Sequence, residues 1–144
     1  MQSPPRKAKS RTPYLIALLL IAALGAGVIV YSFSDWTAAA KARKLRNPVT
    51  TTPESLAAGR AVYMDHCARC HGVSGDGKTD MAEELSVAPA DLTDAHKWNG
   101  VTDGELYWQV TKGKDPMPGY EDSLSETQRW QVVDYIREFA ARSR

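Results

Sequence analysis

The 144-residue chain has two cysteines, Cys67 and Cys70, and His71 follows the second directly. Thiols three apart share one face of a helix. Two thiols so placed can each form a thioether with one vinyl group of a haem, and the adjacent imidazole is set to bind the iron. Cys67-Ala68-Arg69-Cys70-His71 therefore reads as a c-type haem attachment site holding one covalent haem c. Two other chemistries use paired cysteines. A structural zinc site takes four ligands, usually from two such pairs, and the chain has no second pair. A thioredoxin-like redox pair belongs in a strand-rich βαβ setting, and no strand pattern follows.

Iron held by His71 has a sixth position to fill, and Met117 is the leading candidate. It stands between Pro116 and Pro118 in Lys114-Asp115-Pro116-Met117-Pro118-Gly119-Tyr120, a stretch without core periodicity. Met64 lies three residues before Cys67 and is badly placed to reach the other haem face. Met81 is a weaker alternative, and His96 would give a bis-histidine haem. His66 reads as an exposed helix residue. A Met/His pair raises the reduction potential relative to bis-His. It also fills both axial positions, so no open catalytic site is expected.

Helices must carry these residues. Thr51 as N-cap, Pro53 in the first turn and Glu54 form a capping-box pattern that starts a helix running to the cysteine motif. Gly59 and Tyr63 lie on it at i, i+4. A glycine inside a helix costs about 1 kcal/mol and marks close approach of another backbone. Residues 72–79 form a glycine-rich loop that lacks phosphate-loop spacing, and its glycines would let the backbone pass close to the haem. A short helix is expected over residues 81–87 and another, capped by Asp103, over Gly104 to Thr111. The last starts at Ser123 or Ser125, with an apolar stripe of Trp130, Val133, Ile136 and Ala140 flanked by Tyr135 and Phe139.

The front of the chain differs in character. Residues 1–13 are basic and proline-containing and read as a disordered cytoplasmic tail. Residues 14–33 carry no charge, and a helix of that length spans about 30 Å, the thickness of a bilayer core. They read as a single transmembrane helix, with a cleaved signal peptide as the alternative, given Ala38-Ala39-Ala40. Residues 34–52 read as a basic linker or helix extension whose charges could meet lipid headgroups. Covalent haem attachment takes place outside the cytoplasmic membrane in bacteria, so the expected topology is N-terminus in, with residues 53–144 on the outer, periplasmic side of the inner membrane.

The net charge of +1 hides an asymmetry. Eight basic residues and one acidic residue precede Glu54, whereas from Glu54 on ten basic residues face sixteen acidic ones, a net of −6. That balance argues against nucleic-acid binding by the C-terminal part. A domain of about 90 residues is marginally stable alone, so it is expected to depend on its haem for folding.

Residues 54–142 resemble a class I c-type cytochrome, and they are similar to the haem modules of the third subunit of cbb-type haem-copper oxidases. The resemblance is carried by Gly59 and Tyr63, Cys67–Gly72 with the following Gly75-Asp76-Gly77, Ala88–Thr93, Lys112–Tyr120 and Trp130–Phe139. It implies an all-α cytochrome c fold around one haem held by Cys67 and Cys70, with His71 and Met117 as axial ligands. It also implies that Gly59 and Tyr63 pack near Tyr135, that the Pro89 carbonyl orients His71, and that Leu92 lines the haem pocket. Trp98 would bond a propionate or serve as a core tryptophan. Those oxidase subunits usually carry two haem modules, and this chain has one. The implied function is single-electron transfer between respiratory components, with a quinol-oxidising complex as donor and a terminal oxidase or reductase as acceptor. Alternatives are a haem-bearing relay subunit of a larger complex, and a haem enzyme or sensor with a labile methionine.

Overall fold

The computed structural model describes residues 12–142. The chain divides after Ala38 into two compact units. The tail expected over residues 1–13 lies outside the described residues except for its last two. Helix α1 runs Thr12–Ala42, and the rest of the chain carries α2 (Pro53–His66), α3 (Ala68–His71), α4 (Asp80–Glu83), α5 (Asp103–Lys112) and α6 (Glu126–Arg142). The described residues form no strand beyond an isolated bridge between Lys114 and Met117.

The all-helical part of the expectation stands, and the membrane span does not. Among the described residues no helix is long and apolar enough to cross a membrane. Helix α1 carries the apolar run of residues 14–33 onward into a segment with Asp35 and Lys41. The inner-membrane, single-pass location and the lipid contact inferred from that span are corrected with it.

Within the C-terminal unit, α2 and α6 form the centre. Gly59 permits their approach, since a Cβ there would stand 2.1 Å from the backbone oxygen of Gln131. Tyr63, Val132 and Val133 are fully buried at this crossing, each contributing roughly 1.5–3 kcal/mol. The rings of Tyr63, Tyr135 and Phe139 cluster with centroids 5.0–5.4 Å apart. Helix α5 packs Leu106 and Val110 inward and lays Tyr107 flat against Trp130, 4.0 Å away. Because α6 is covered by α2 on one side and α5 on another, its buried surface is wider than a single stripe and takes in Val132 and Arg129.

Two helix starts, those of α2 and α5, shift by one residue from the sequence reading, and that of α6 falls at one of its two candidates. Thr52, not Thr51, caps α2, because its side chain accepts from the Ser55 amide while Ser55 Oγ accepts from the Thr52 amide. Thr102 caps α5 in the same way with Glu105. Ser125 caps α6 through Gln128.

Residues 42–51, read as linker, are strapped to the domain. Ala42 is buried on Gly104, where a Cβ would stand 1.9 Å from the Ala42 oxygen. Arg43 reaches Glu105 at 3.4 Å. Asn47 Nδ2 and Thr51 Oγ1 donate to the two carboxylate oxygens of Asp134, at 2.7 and 3.1 Å.

Candidate functional site: a haem pocket

Helix α2 ends at His66, and Cys67 turns the chain into the single-turn helix α3, which carries Cys70 and His71. No disulfide joins the two cysteines. Burial, followed by the neighbouring Cys70, pushes the Cys67 thiol up to about 12, so it stays protonated at neutral pH. Cys67, Cys70 and His71 line a cavity of about 290 Å³.

Other walls come from distant parts of the chain. Leu85, Val87 and Ala88 follow α4, and Pro89 and Ala90 continue that wall. The loop after α5 contributes Pro116, Met117 and Pro118. The cavity therefore holds two thiols, an imidazole and a thioether sulfur in a largely aliphatic and proline-built enclosure. That donor set fits a covalently attached haem: thiols for thioethers, one nitrogen and one sulfur for iron, and apolar walls for the porphyrin.

His71 is prepared as a ligand. Its Nδ1 lies 3.2 Å from the carbonyl oxygen of Ala90. Burial holds its pKa below the ordinary imidazole value, and the Ala90 bond opposes that only in part. A neutral ring with Nδ1 engaged leaves the Nε2 lone pair for a metal. The carbonyl that meets His71 belongs to Ala90 rather than Pro89. The oxygen of Pro89 is turned toward Gly77, where a Cβ would come within 3.0 Å of it.

The Met117 loop is tightly built. Lys114 and Met117 exchange backbone hydrogen bonds at 2.9 and 2.8 Å. At its base Gly113 takes a positive φ of 73°, and a Cβ there would lie 2.6 Å from the Met117 oxygen.

The remaining expected residues fall elsewhere. Leu92 is buried in the core and is not among the cavity-lining residues. Trp98 Nε1 donates to the Asp91 carbonyl at 3.0 Å. His96 and Met64 are exposed, and Met81 is half-buried away from the cavity. The glycine-rich loop packs on protein: a Cβ on Gly75 would strike the Phe139 ring at 2.9 Å.

Gln109, His66 and Tyr120 are among the lining residues that have no role in the sequence reading. Gln109 projects from α5, one turn before the Met117 loop. His66, expected on the surface, is half-buried at the cavity wall. Tyr120 lines the cavity and donates to the His66 carbonyl at 2.9 Å. The helical register of α2 hides His66, since only the turn at Cys67 brings it to the pocket.

Residues 54–136 match the protein family described as cytochrome C oxidase, cbb3-type, subunit III. A cytochrome c6 from Euglena gracilis is 35% identical over 78 residues, which cover 54% of this chain and 85% of the relative. A quinohemoprotein alcohol dehydrogenase, ADH IIB of Pseudomonas putida, is 31% identical over 102 residues, covering 69% of this chain but 13% of that protein. Among solved structures, a chain of the Kuenenia stuttgartiensis reducing HAO-like protein complex superposes with a TM-score of 0.59 at 28% identity, over 64% of this chain and 46% of that one.

Proposed function

Since the chain belongs to the c-type cytochrome family of the cbb3-type oxidase subunit III, and is an electron-transfer protein of that kind, we propose that it passes single electrons between protein partners of a respiratory chain through one haem. Cys67 and Cys70 would hold the haem, and His71 and Met117 would be its axial ligands. Bound there, the haem supplies an iron that takes up and returns one electron. Burial keeps the His71 ring neutral, and the Ala90 carbonyl orients it. The closed loop from Gly113 to Tyr120 keeps Met117 in place, so ligand positions change little with charge state. The aliphatic and proline walls offer the porphyrin an apolar surface.

The observation that carries this reading is that both thiols, His71 and Met117 line one cavity, although Met117 lies 46 residues beyond His71 in sequence. The acidic balance from Glu54 on favours partners that present positive charge, drawn from quinol-oxidising complexes as donors and terminal oxidases or reductases as acceptors. The purified holoprotein should show the weak near-red sulfur-to-iron absorption and should not bind carbon monoxide when reduced. Carbon monoxide binding by the native protein would replace this reading with a haem enzyme or sensor.

A second reading, a relay inside a larger assembly, is favoured by the likeness to a chain of a multi-protein complex. Co-purification of a stoichiometric partner from detergent extracts would select it.

A further inference from the structure

Tyr120 occupies an unusual place in the pocket. Its backbone is fixed on both sides: its amide donates to Val110 at 3.0 Å, and its carbonyl accepts from Leu124 at 3.0 Å. The next residue is held as firmly. The Glu121 amide donates to Thr111 at 3.2 Å, and the Glu121 carbonyl accepts from Nη1 of the buried Arg129 at 2.9 Å. Arg129 is itself tied to the Leu124 carbonyl and to the Tyr107 hydroxyl, both at 3.0 Å. The base of the Met117 loop is thus immobilised on α5 and α6.

From this fixed base the Tyr120 side chain crosses the pocket wall. Its hydroxyl donates to the carbonyl of His66, 54 residues earlier and directly before Cys67. Its ring meets the His66 ring edge-on, with centroids 5.6 Å apart. Among the described residues, no other hydrogen bond joins residues 113–120 to residues 66–71. The methionine side of the pocket and the cysteine-histidine side are therefore tied through one phenol.

The geometry points to Tyr120 as a positioning residue for the methionine ligand: its hydroxyl couples the Met117 loop to the haem-attachment turn and so sets how closely the two ligand-bearing walls are held. This rests on the reading of Met117 as the sixth ligand. A thioether is a weak, neutral donor, so its hold on iron depends on how well the loop keeps it in place. Loss of one neutral hydrogen bond between the walls shows as easier displacement of the methionine by an outside ligand.

The test uses the full-length holoprotein and imidazole as the probe. Tyr120→Phe keeps the ring and removes the hydroxyl. Imidazole should then bind oxidised haem about threefold to tenfold more tightly than in the native protein, with the near-red absorption weakened. In a Met117→Ala background the same tyrosine change should leave imidazole binding unaltered, because the ligand it positions is gone. A purely structural tyrosine would produce equal changes in both backgrounds. Imidazole affinity within twofold of native in Tyr120→Phe, or the same change in both backgrounds, overturns the role of Tyr120. Absence of the near-red absorption in the native protein overturns the Met117 reading, and this role with it. Should Tyr120→Phe fail to mature, nuclear magnetic resonance of the native holoprotein decides: a slowly exchanging Tyr120 hydroxyl proton close to His66 supports the tie, and a rapidly exchanging one refutes it.

Discussion

Nδ1 of His71 and the carbonyl oxygen of Ala90 lie 3.2 Å apart, a hydrogen bond between the haem-attachment turn and the segment that forms the adjoining wall. As donor, the ring presents its other nitrogen unprotonated to the cavity. Because burial lowers the pKa of His71, the unfolded chain takes up a proton at higher pH than the folded one. The contribution of this ring to folding is then fully present above its ordinary value near 6.5 and declines as pH falls toward the lowered one.

A haem-free chain, Cys67→Ala with Cys70→Ala, should therefore be poorly folded, and more so in acid. Its helical circular dichroism should fall well short of the holoprotein at pH 7.5 and decrease further at pH 5.5. Adding His71→Asn should remove part of that further decrease. A stable, fully folded haem-free domain would contradict the expectation that about 90 residues lean on the cofactor.

Met117→Ala should abolish the near-red absorption and lower the reduction potential, since a thioether ligand favours the reduced iron. The reduced variant should also bind carbon monoxide, which the native protein should not. An unchanged visible and near-red spectrum would move the sixth ligand to another residue.

Gly59→Ala should destabilise the holoprotein by about 1–3 kcal/mol, as overpacking does. The new methyl meets the backbone of α6 at Gln131 rather than a side chain that could swing away. In a domain of this size the melting temperature should fall by about 4–8 °C per kcal/mol. A variant that melts with the native protein would mean that α2 and α6 can separate at no cost.

Asp134→Asn should show a pH-dependent effect. Burial raises the pKa of Asp134, and the bonds from Thr51 and Asn47 offset that only in part. The ionised carboxylate is thus less favourable in the folded state, and the native protein gains relative to the asparagine variant as pH falls through the raised value. The variant should be at least as stable as the native protein at pH 7 and lose that advantage by pH 4, measured as the difference between denaturation midpoints. A constant difference would place the carboxylate outside the folding equilibrium.

Part of the cavity lining is legible in the chain. Cys67, Cys70 and His71 announce themselves by spacing, and Met117 by the prolines around it. Helices α2, α5 and α6 follow from caps and periodicity, with starts shifted where two threonines or a threonine and an aspartate compete for the N-cap. Legibility ended where distant segments meet. No local pattern tells that Tyr120 reaches His66, that Ala90 rather than Pro89 faces His71, or that Leu92 turns to the core. Nor does any local pattern tell that Arg129 is buried, with its guanidinium on the Tyr107 hydroxyl. The apolar run of residues 14–33 was over-read, because composition alone reports neither where a helix ends nor which of its neighbours share it.

The strap formed by Ala42, Arg43 and Asn47 bears on where this domain can be cut. The family match opens at residue 54, yet a fragment trimmed to that point would bare the notch over Gly104 and leave the half-buried carboxylate of Asp134 without the two donors it holds. A truncation intended to preserve the fold should begin at Ala39.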